Sequence, residues 1–359
     1  MARRLGVAVL GVAVALASVA TWATLYRRPP HAGEAVTITA DDGWPLALQH
    51  YAARGPATAR WPVILCHGIV TNAYSMDLDD EHSLARWLAG RGFDVWLLDL
   101  RGHGDSGKPG LFGSLPARWS FDDYVDRDVP AAIAAVRART GAAQVAWVGH
   151  SMGGMVAYAY LGRAAARRDD GGVARLATLG SPASFAELSP AMRDLGALTA
   201  PDVLPRVPLA SPTLLLVPFA GRTYGPLERM TFADGNLEPD VWRAFLGRGV
   251  DDESTRLADE LRGWMQKGHW TSPRDGFDFE VGLARITAPL LVVAGSADSI
   301  AARGQVRRGH DGAGSADKTW ALIGRQSGSA TDYGHMDLLL GPRAAREVFP
   351  VVEAFLRRP

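Results

Sequence analysis

The chain has 359 residues, of which 47% are hydrophobic and 21% charged, and its 38 Lys and Arg residues balance its 38 Asp and Glu residues. A chain of this length can bury a large core. Its even charge lacks the basic footprint of a nucleic-acid-binding protein, so no nucleic-acid partner is expected. The single cysteine, Cys66, excludes an intrachain disulfide, and its apolar neighbours predict a buried side chain instead of a nucleophile.

The amino-terminal segment is apolar and has arginines on both sides. Residues 5–26 carry no charged side chain, and about 22 such residues can span a bilayer as one helix. The alternative is a signal peptide that is cleaved after a small-x-small site at residues 18–20. Because the apolar run continues past that site, the sequence favours a membrane anchor within residues 1–28, with a secreted or periplasmic protein as the alternative. Arginines at both ends leave the orientation open.

Strands and helices alternate through the rest of the chain. The predicted strands lie at residues 36–39, 46–51, 62–66, 94–99, 145–148, 174–181, 290–295 and 320–323, and predicted helices at residues 81–91, 121–140, 154–161 and 344–356. This alternation predicts an α/β fold with a mostly parallel sheet and helices on both faces. The first two strands are joined by an Asp-Gly turn and should form an antiparallel hairpin at one edge.

The most specific motif is Gly-x-Ser-x-Gly at residues 149–153, between a predicted strand and a predicted helix. This pattern is typical of a nucleophile elbow, where a serine on a strained turn needs small neighbours. Gly149 and Gly153 provide that space. The helix after Ser151 directs its free N–H groups toward negative charge that develops there, so the N–H of Met152 is one expected oxyanion donor.

About a hundred residues separate the predicted strands at 174–181 and 290–295, which is too long for a simple crossover. This segment is rich in proline at first and then helical, and it holds about a third of the aromatic residues. We expect a helical cap over an apolar site, although most of these aromatic side chains should pack the cap's own core. The predicted division is residues 29–183 for the first part of the core, 184–284 for the cap and 285–359 for the second part of the core.

A serine hydroxyl needs a base to take its proton, and a histidine held by a carboxylate can serve. Three histidines follow Ser151 along the chain. His269 lies in the insertion, and His310 lies among basic residues in an apparently exposed loop. His335 lies in a loop between the last predicted strand and the last helix, and it is the favoured base.

Three aspartates are candidates for the carboxylate. Asp298 directly follows the strand at 290–295, whereas Asp332 and Asp337 lie very close to His335 in sequence. For those two, a local turn or capping role is the simpler interpretation. The remaining acidic run, at residues 77–81, is expected to be a solvated helix start and not a metal site.

Three motifs end successive predicted strands: His-Gly at residues 67–68, Arg-Gly-His-Gly at residues 101–104, and the elbow. Together with the segment at residues 119–124, they resemble the α/β-hydrolase fold, and in particular its acid lipase branch. The resemblance runs from about residue 36 to residue 359, except for the insertion.

This resemblance implies a Ser-Asp-His triad in the chain order of the family, made of Ser151, Asp298 and His335. It implies Ile69 N–H as the second oxyanion donor, with Val70 next. Structural roles in tight turns are expected for three further histidines, His67, His103 and His150. No cofactor and no metal are expected.

The implied function is that of a serine hydrolase that cleaves lipophilic carboxylic esters, of small molecules or lipids, through an acyl-enzyme. Thioesterase, acyltransferase and peptidase chemistry on the same triad stay open. A serine at the elbow disfavours epoxide and haloalkane hydrolases, which resemble this scaffold with an aspartate there, and polyester synthases, which carry a cysteine. A non-catalytic, membrane-anchored binding protein is the alternative from another class. The sequence leaves the acyl chain, the alcohol and the oligomeric state open.

Overall fold

The computed structural model of the chain describes residues 14, 16–19, 21–26, 31–55, 59–110, 114–197 and 204–359. The segment predicted as an anchor or signal peptide, residues 1–28, lies largely outside the described residues. In the part that is described, no helix combines the length and the hydropathy that crossing a bilayer requires.

The centre of the molecule is a mixed, mostly parallel sheet, as predicted. Its strands and those of a short ladder are β1 (Glu34–Thr39), β2 (Pro45–Tyr51), β3 (Val63–Cys66), β4 (Val95–Asp99), β5 (Val145–His150), β6 (Val173–Leu179), β7 (Arg206–Val207), β8 (Glu253–Ser254), β9 (Leu290–Gly295) and β10 (Lys318–Ile323). Among the described residues, eight strands form one sheet in the order β1-β2-β4-β3-β5-β6-β9-β10. β2 pairs antiparallel with β1 and β4, and the other neighbours are parallel.

The inner strands are apolar throughout because helices cover both faces of the sheet. Every residue of β3, β4, β5 and β9 is buried. Alternate side chains enter different cores: Ile64 and Cys66 pack on one face, and Val63 and Leu65 pack on the other.

Helices cover each side of the sheet and also build the insertion between β6 and β9. They are α1 (Leu84–Ala89), α2 (Phe121–Asp123), α3 (Val129–Thr140), α4 (Met152–Ala166), α5 (Pro190–Ala197), α6 (Ala210–Leu216), α7 (Pro226–Thr231), α8 (Pro239–Leu246), α9 (Thr255–Lys267), α10 (Phe279–Leu283), α11 (Arg303–Gly312), α12 (Asp337–Leu340), α13 (Ala344–Glu347) and α14 (Phe349–Leu356). Helices α3, α4 and α11 pack on the face of Ile64, and α1 and α14 pack on the face of Val63.

The predicted helix at residues 121–140 is continuous but irregular. A π-helical segment, Tyr124–Asp128, joins α2 to α3. Pro130 in the first turn of α3 has no N–H to donate, so the regular ladder cannot run through this point. Ser120 caps the start through a capping box with Asp123.

The acidic run at residues 77–81 differs from the expectation of a solvated helix start. Asp77 is fully buried and accepts hydrogen bonds from Tyr51, Ser83 and Arg86. Helix α1 begins only at Leu84, with Ser83 as its cap. The expectation was wrong for Asp77, because its partners come from β2 and from the helix itself and hold the carboxylate inside the protein.

The insertion between β6 and β9 contains α5 to α10 and the ladder β7–β8. Two of its aromatic side chains, Trp264 and Phe279, pack around Phe121 of the core, with ring centroids 5.1 Å and 5.5 Å from that of Phe121. Phe232, Trp242 and Phe245 of the insertion belong instead to the core on the face of Val63. The insertion thus contributes to the cores on both faces of the sheet. The boundaries predicted for the cap, residues 184 and 284, stay a prediction.

Candidate active site

Ser151 occupies the turn between β5 and α4. Its backbone has φ 53° and ψ −122°, a strained conformation for a residue with a side chain. Two backbone hydrogen bonds maintain this conformation. The Ser151 N–H donates to the Leu179 carbonyl at 2.9 Å, and the Ser151 carbonyl accepts from Gly154 N–H at 3.0 Å. A methyl group added at Gly153 would lie 2.2 Å from the Cys66 carbonyl oxygen, so only glycine fits there. This geometry is that of a nucleophile elbow.

The loop after β3 runs directly against Ser151. A Cβ atom placed on Gly68 would lie 3.0 Å from Ser151 Cβ and 3.4 Å from its Oγ, so the glycine allows the close approach. Ile69 follows in this loop, and Met152 opens helix α4 on the other side of the serine. The Val70 N–H faces a carboxylate oxygen of Glu253 at 3.4 Å. Because Val70 N–H is engaged there, Ile69 is the stronger of the two candidates for the second oxyanion donor.

The predicted acid and base meet at the same edge of the sheet. His335 Nδ1 lies 2.8 Å from Asp298 Oδ2, and both side chains are buried. The other carboxylate oxygen of Asp298 accepts from the N–H groups of Ile300 at 2.9 Å and Ala301 at 2.8 Å, which fixes its orientation. With Nδ1 donating to the carboxylate, Nε2 of His335 is left to act as a base.

The two alternative aspartates serve the surrounding loops. Asp332 accepts from Ser296 Oγ at 2.8 Å and from Arg325 N–H at 3.1 Å. Asp337 is buried and accepts from the N–H groups of Ala233 at 2.7 Å and Gly334 at 2.5 Å. Burial raises the pKa of Asp337 to about 6, against the effect of those two bonds. None of these four contacts involves the ring of His335.

The other histidines have contacts of their own. His269 is exposed. His310, predicted in a loop, lies in helix α11 beside Asp311 at 2.8 Å. His67 donates from Nδ1 to the Gly68 carbonyl at 2.8 Å and accepts the Leu100 N–H at Nε2. Burial, followed by the charge on His103, lowers the pKa of His67 to about 3, so it stays neutral.

Cys66 is buried at the end of β3, as predicted, and burial raises the pKa of its thiol well above the usual range. A neutral thiol is a poor nucleophile. Within the described residues, no group of three or more His, Cys, Asp or Glu side chains is arranged to hold a metal ion.

An apolar pocket of about 50 Å³ opens beside Ser151, between the core and the insertion. It is lined by Ile69, Phe121, Ser151, Met152, Met155, Pro182, Phe185, Met192, Leu257, Leu261, Trp264, Ile300 and Gln305. The aromatic content of the insertion pointed to part of this wall, but no sequence signal singled out Met155, Met192 or Gln305. A larger cavity of about 330 Å³ lies at the amino ends of the strands, around Arg175 and Arg285, and contains none of the predicted site residues.

The sheet order, the elbow and the aspartate–histidine pair at the carboxyl ends of the strands define an α/β hydrolase. The sequence profile of the alpha/beta hydrolase fold family matches residues 62–342, and the chain belongs to this family.

Several characterised proteins are similar to it. The chain is 32% identical to lipase lipl-3 of Caenorhabditis elegans over 146 residues, which are 38% of this chain and 34% of that protein. It is 31% identical to human lysosomal acid lipase/cholesteryl ester hydrolase over 185 residues, 48% of this chain and 44% of the lipase. The match thus spans between a third and a half of the length of these relatives. Among solved structures, an esterase from Thermogutta terrifontis superimposes with a TM-score of 0.57 at 18% identity, over 90% of this chain and 98% of the esterase.

Proposed function

We propose that this protein is a serine hydrolase of carboxylic esters, with Ser151 as nucleophile, His335 as general base and Asp298 as the residue that orients the base. The observation that carries the proposal is the 2.8 Å contact between Asp298 and His335, at the sheet edge where the strained elbow presents Ser151. The similarity to an acid lipase and to an esterase fold supports the ester as the bond that is cleaved.

The reaction follows from these positions. His335 Nε2 takes the proton of Ser151 Oγ as the oxygen attacks the acyl carbonyl, and Asp298 stabilises the imidazolium that forms. The N–H groups of Met152 and Ile69 stabilise the oxyanion. The C–O bond to the alcohol then breaks, and the alcohol leaves with the proton from His335. A water molecule, deprotonated by His335, attacks the acyl-serine and releases the carboxylic acid and free Ser151.

The pocket argues for a lipophilic acyl group with few carbons. Its walls are almost entirely apolar, with Gln305 and Ser151 as the polar exceptions, and an apolar wall binds a hydrocarbon chain and not a charged one. A volume of about 50 Å³ has room for about four water molecules. We therefore propose short-chain esters as the preferred substrates, with residues 184–284 acting as the cap that closes the pocket.

A fluorophosphonate probe, which phosphonylates activated serines, tests the chemistry. Purified protein should be labelled at a one-to-one ratio, and Ser151→Ala should not be labelled. Equal labelling of Ser151→Ala, or no labelling of the wild-type protein, would reject the proposal in favour of a non-catalytic binding protein.

A series of nitrophenyl esters, a matched thioester and a matched amide then separates an esterase from a thioesterase or a peptidase. An added alcohol acceptor reveals acyl transfer.

Exposed apolar side chains of the amino-terminal segment and of the insertion lie side by side. Trp22 and Leu25 are exposed by 38% and 77%, and Leu216 and Phe219 of the insertion by 54% and 51%. The rings of Trp22 and Phe219 lie 6.0 Å apart, edge to face, so both segments belong to one apolar surface. We propose that residues 1–28 are retained as an anchor. Mass spectrometry of the mature protein decides, because loss of about twenty amino-terminal residues would mean signal cleavage instead.

A further inference from the structure

The proposed oxyanion loop contains a strained residue that the sequence did not reveal. Val70, next to Ile69, has φ 55°, in the left-handed region that β-branched side chains avoid. Such a conformation persists only where the surroundings hold it. For this loop, the surroundings include the insertion, from a part of the chain some 180 residues away.

Three contacts tie the oxyanion loop to residues 250–253 of the insertion. The Val70 carbonyl accepts from Asp251 N–H at 2.9 Å. The Val70 N–H faces Glu253 Oε2 at 3.4 Å. Thr71 forms an isolated antiparallel bridge with Val250. The backbone N–H and the backbone carbonyl of Val70 are therefore both in contact with the insertion.

Glu253 is itself held rigidly. It is 2% exposed, and its Oε1 accepts from Ser254 N–H at 2.8 Å and from the Tyr124 hydroxyl at 3.4 Å. Its Oε2, the atom that faces Val70, lies 3.3 Å from His103 Nε2.

His103 belongs to the Arg-Gly-His-Gly motif, for which the proposed reaction has no use. Its Nδ1 lies 3.0 Å from the Arg101 carbonyl, which can only accept, so Nδ1 carries a proton. Its Nε2 faces the carboxylate of Glu253, so a proton is favoured there too. Burial opposes the charged imidazole, but Glu253, the charge of Asp251 and the Arg101 carbonyl together outweigh it and the pKa of His103 is raised. His103 is the buried counter-ion of Glu253.

We propose that Glu253, paired with His103, is a positioning residue that holds the oxyanion loop in the conformation in which Ile69 N–H can stabilise the reacting oxyanion. This inference rests on the proposed esterase function. It gives the insertion a second role beside closing the pocket, because the insertion also maintains the geometry of the catalytic donors. The Arg-Gly-His-Gly motif then acts on the reaction through Glu253.

The test is turnover per reactive serine in Glu253→Ala, Glu253→Gln and a matched control, Asp252→Ala. Asp252 is the adjacent acid, but its Oδ1 accepts from Leu209 and Ala210 N–H, inside the insertion. Reactive serines are counted at the end point of fluorophosphonate labelling, so a misfolded fraction drops out of the comparison. Removing an oxyanion donor outright costs roughly 100- to 1,000-fold in kcat, and a displaced donor should cost less.

We expect Glu253→Ala to lose about 10- to 100-fold in kcat per labelled serine, with KM changed less than about twofold. Glu253→Gln keeps an acceptor oxygen and should recover most of that loss, while Asp252→Ala stays within about twofold of wild type. Glu253→Ala at the wild-type kcat, or an equal loss in Asp252→Ala, would overturn the inference. If Glu253→Ala does not fold, Glu253→Met, which keeps the length of the side chain but has no carboxylate oxygen for Val70 N–H, replaces it, and a wild-type kcat per labelled serine in that variant overturns the inference as well. A wild-type protein that is not labelled rejects the proposed function itself, an outcome that differs from all of these.

Discussion

The Nε2 atom of His150 lies 3.1 Å from the backbone carbonyl oxygen of His335. The residue before the proposed nucleophile therefore supports the chain at the proposed base. Burial, followed by the charge on His335, lowers the pKa of His150 well below its usual range, so the ring is neutral. Because a carbonyl can only accept, Nε2 is the nitrogen that carries the proton.

Replacing His150 with Phe should lower kcat/KM about tenfold. The ring remains but the donor is lost, and a tenfold effect corresponds to about 1.4 kcal/mol, within the net range of one hydrogen bond. Steady-state kinetics on a nitrophenyl ester measures it. His310→Phe is the control, because His310 lies on helix α11 and contacts Asp311 instead of the site. An unchanged kcat/KM in His150→Phe would show that the contact does not position His335.

Asp298→Asn should lower kcat by about 1,000- to 10,000-fold. The amide has nearly the same shape, but it favours the wrong tautomer of His335 and no longer stabilises its charged form. Asp332→Asn is the matched control and should stay within twofold, because Asp332 contacts Ser296 and Arg325 N–H. The melting temperature of each variant shows that the fold persists. A larger loss in Asp332→Asn than in Asp298→Asn would show that Asp332, and not Asp298, orients His335.

The sequence predicted the sheet because buried strands leave local patterns, whereas the chain order proposed for the site came from the resemblance to α/β hydrolases. Apolar runs identify buried strands, and residues that follow parallel strands meet at one edge of the sheet, as Asp298 and His335 do. Contacts between distant segments left no such pattern. Glu253 reaches Val70 across 183 positions, and Asp77 contacts His31 across 46. A carboxylate in an acidic run looks solvated until the fold supplies its partners.

Met192→Ala should shift the preference of the enzyme toward longer acyl chains. Met192 lines the pocket beside Ser151, so its truncation makes room for about two more carbons. At about 0.8 kcal/mol per buried CH₂, two carbons change the ratio of kcat/KM values between a longer and a shorter ester by about tenfold. Met265→Ala is the control, because Met265 is equally buried in the same core but does not line the pocket. A profile that shifts equally in both variants would place the acyl chain elsewhere.

The buried carboxylate of Asp77 should make stability fall in acid, between its ordinary pKa of 3.8 and its folded-state pKa of about 2. Its burial raises the pKa, but hydrogen bonds from His31, Ser83 and Tyr51 outweigh this and lower it to about 2, below the ordinary value of 3.8. A carboxyl group whose pKa is lowered by folding stabilises the protein above its unfolded-state pKa, and that contribution disappears as the pH falls through the folded-state value. Ionised Asp77 contributes about 2 kcal/mol to the free energy of unfolding, and about half of this contribution should be lost by pH 3.

Urea unfolding of the wild type and of Asp77→Asn at pH 6 and at pH 3 measures this contribution. The asparagine cannot ionise, so the difference in unfolding free energy between the two proteins should shrink by about 1 kcal/mol at the lower pH. Asp80→Asn serves as the control, because Asp80 also pairs with Arg86 but its side chain is 91% exposed. Exposed ion pairs contribute little, so its difference should stay near zero at both pH values. A difference for Asp77→Asn that is the same at pH 6 and pH 3 would mean that Asp77 is already protonated in the folded protein at pH 6.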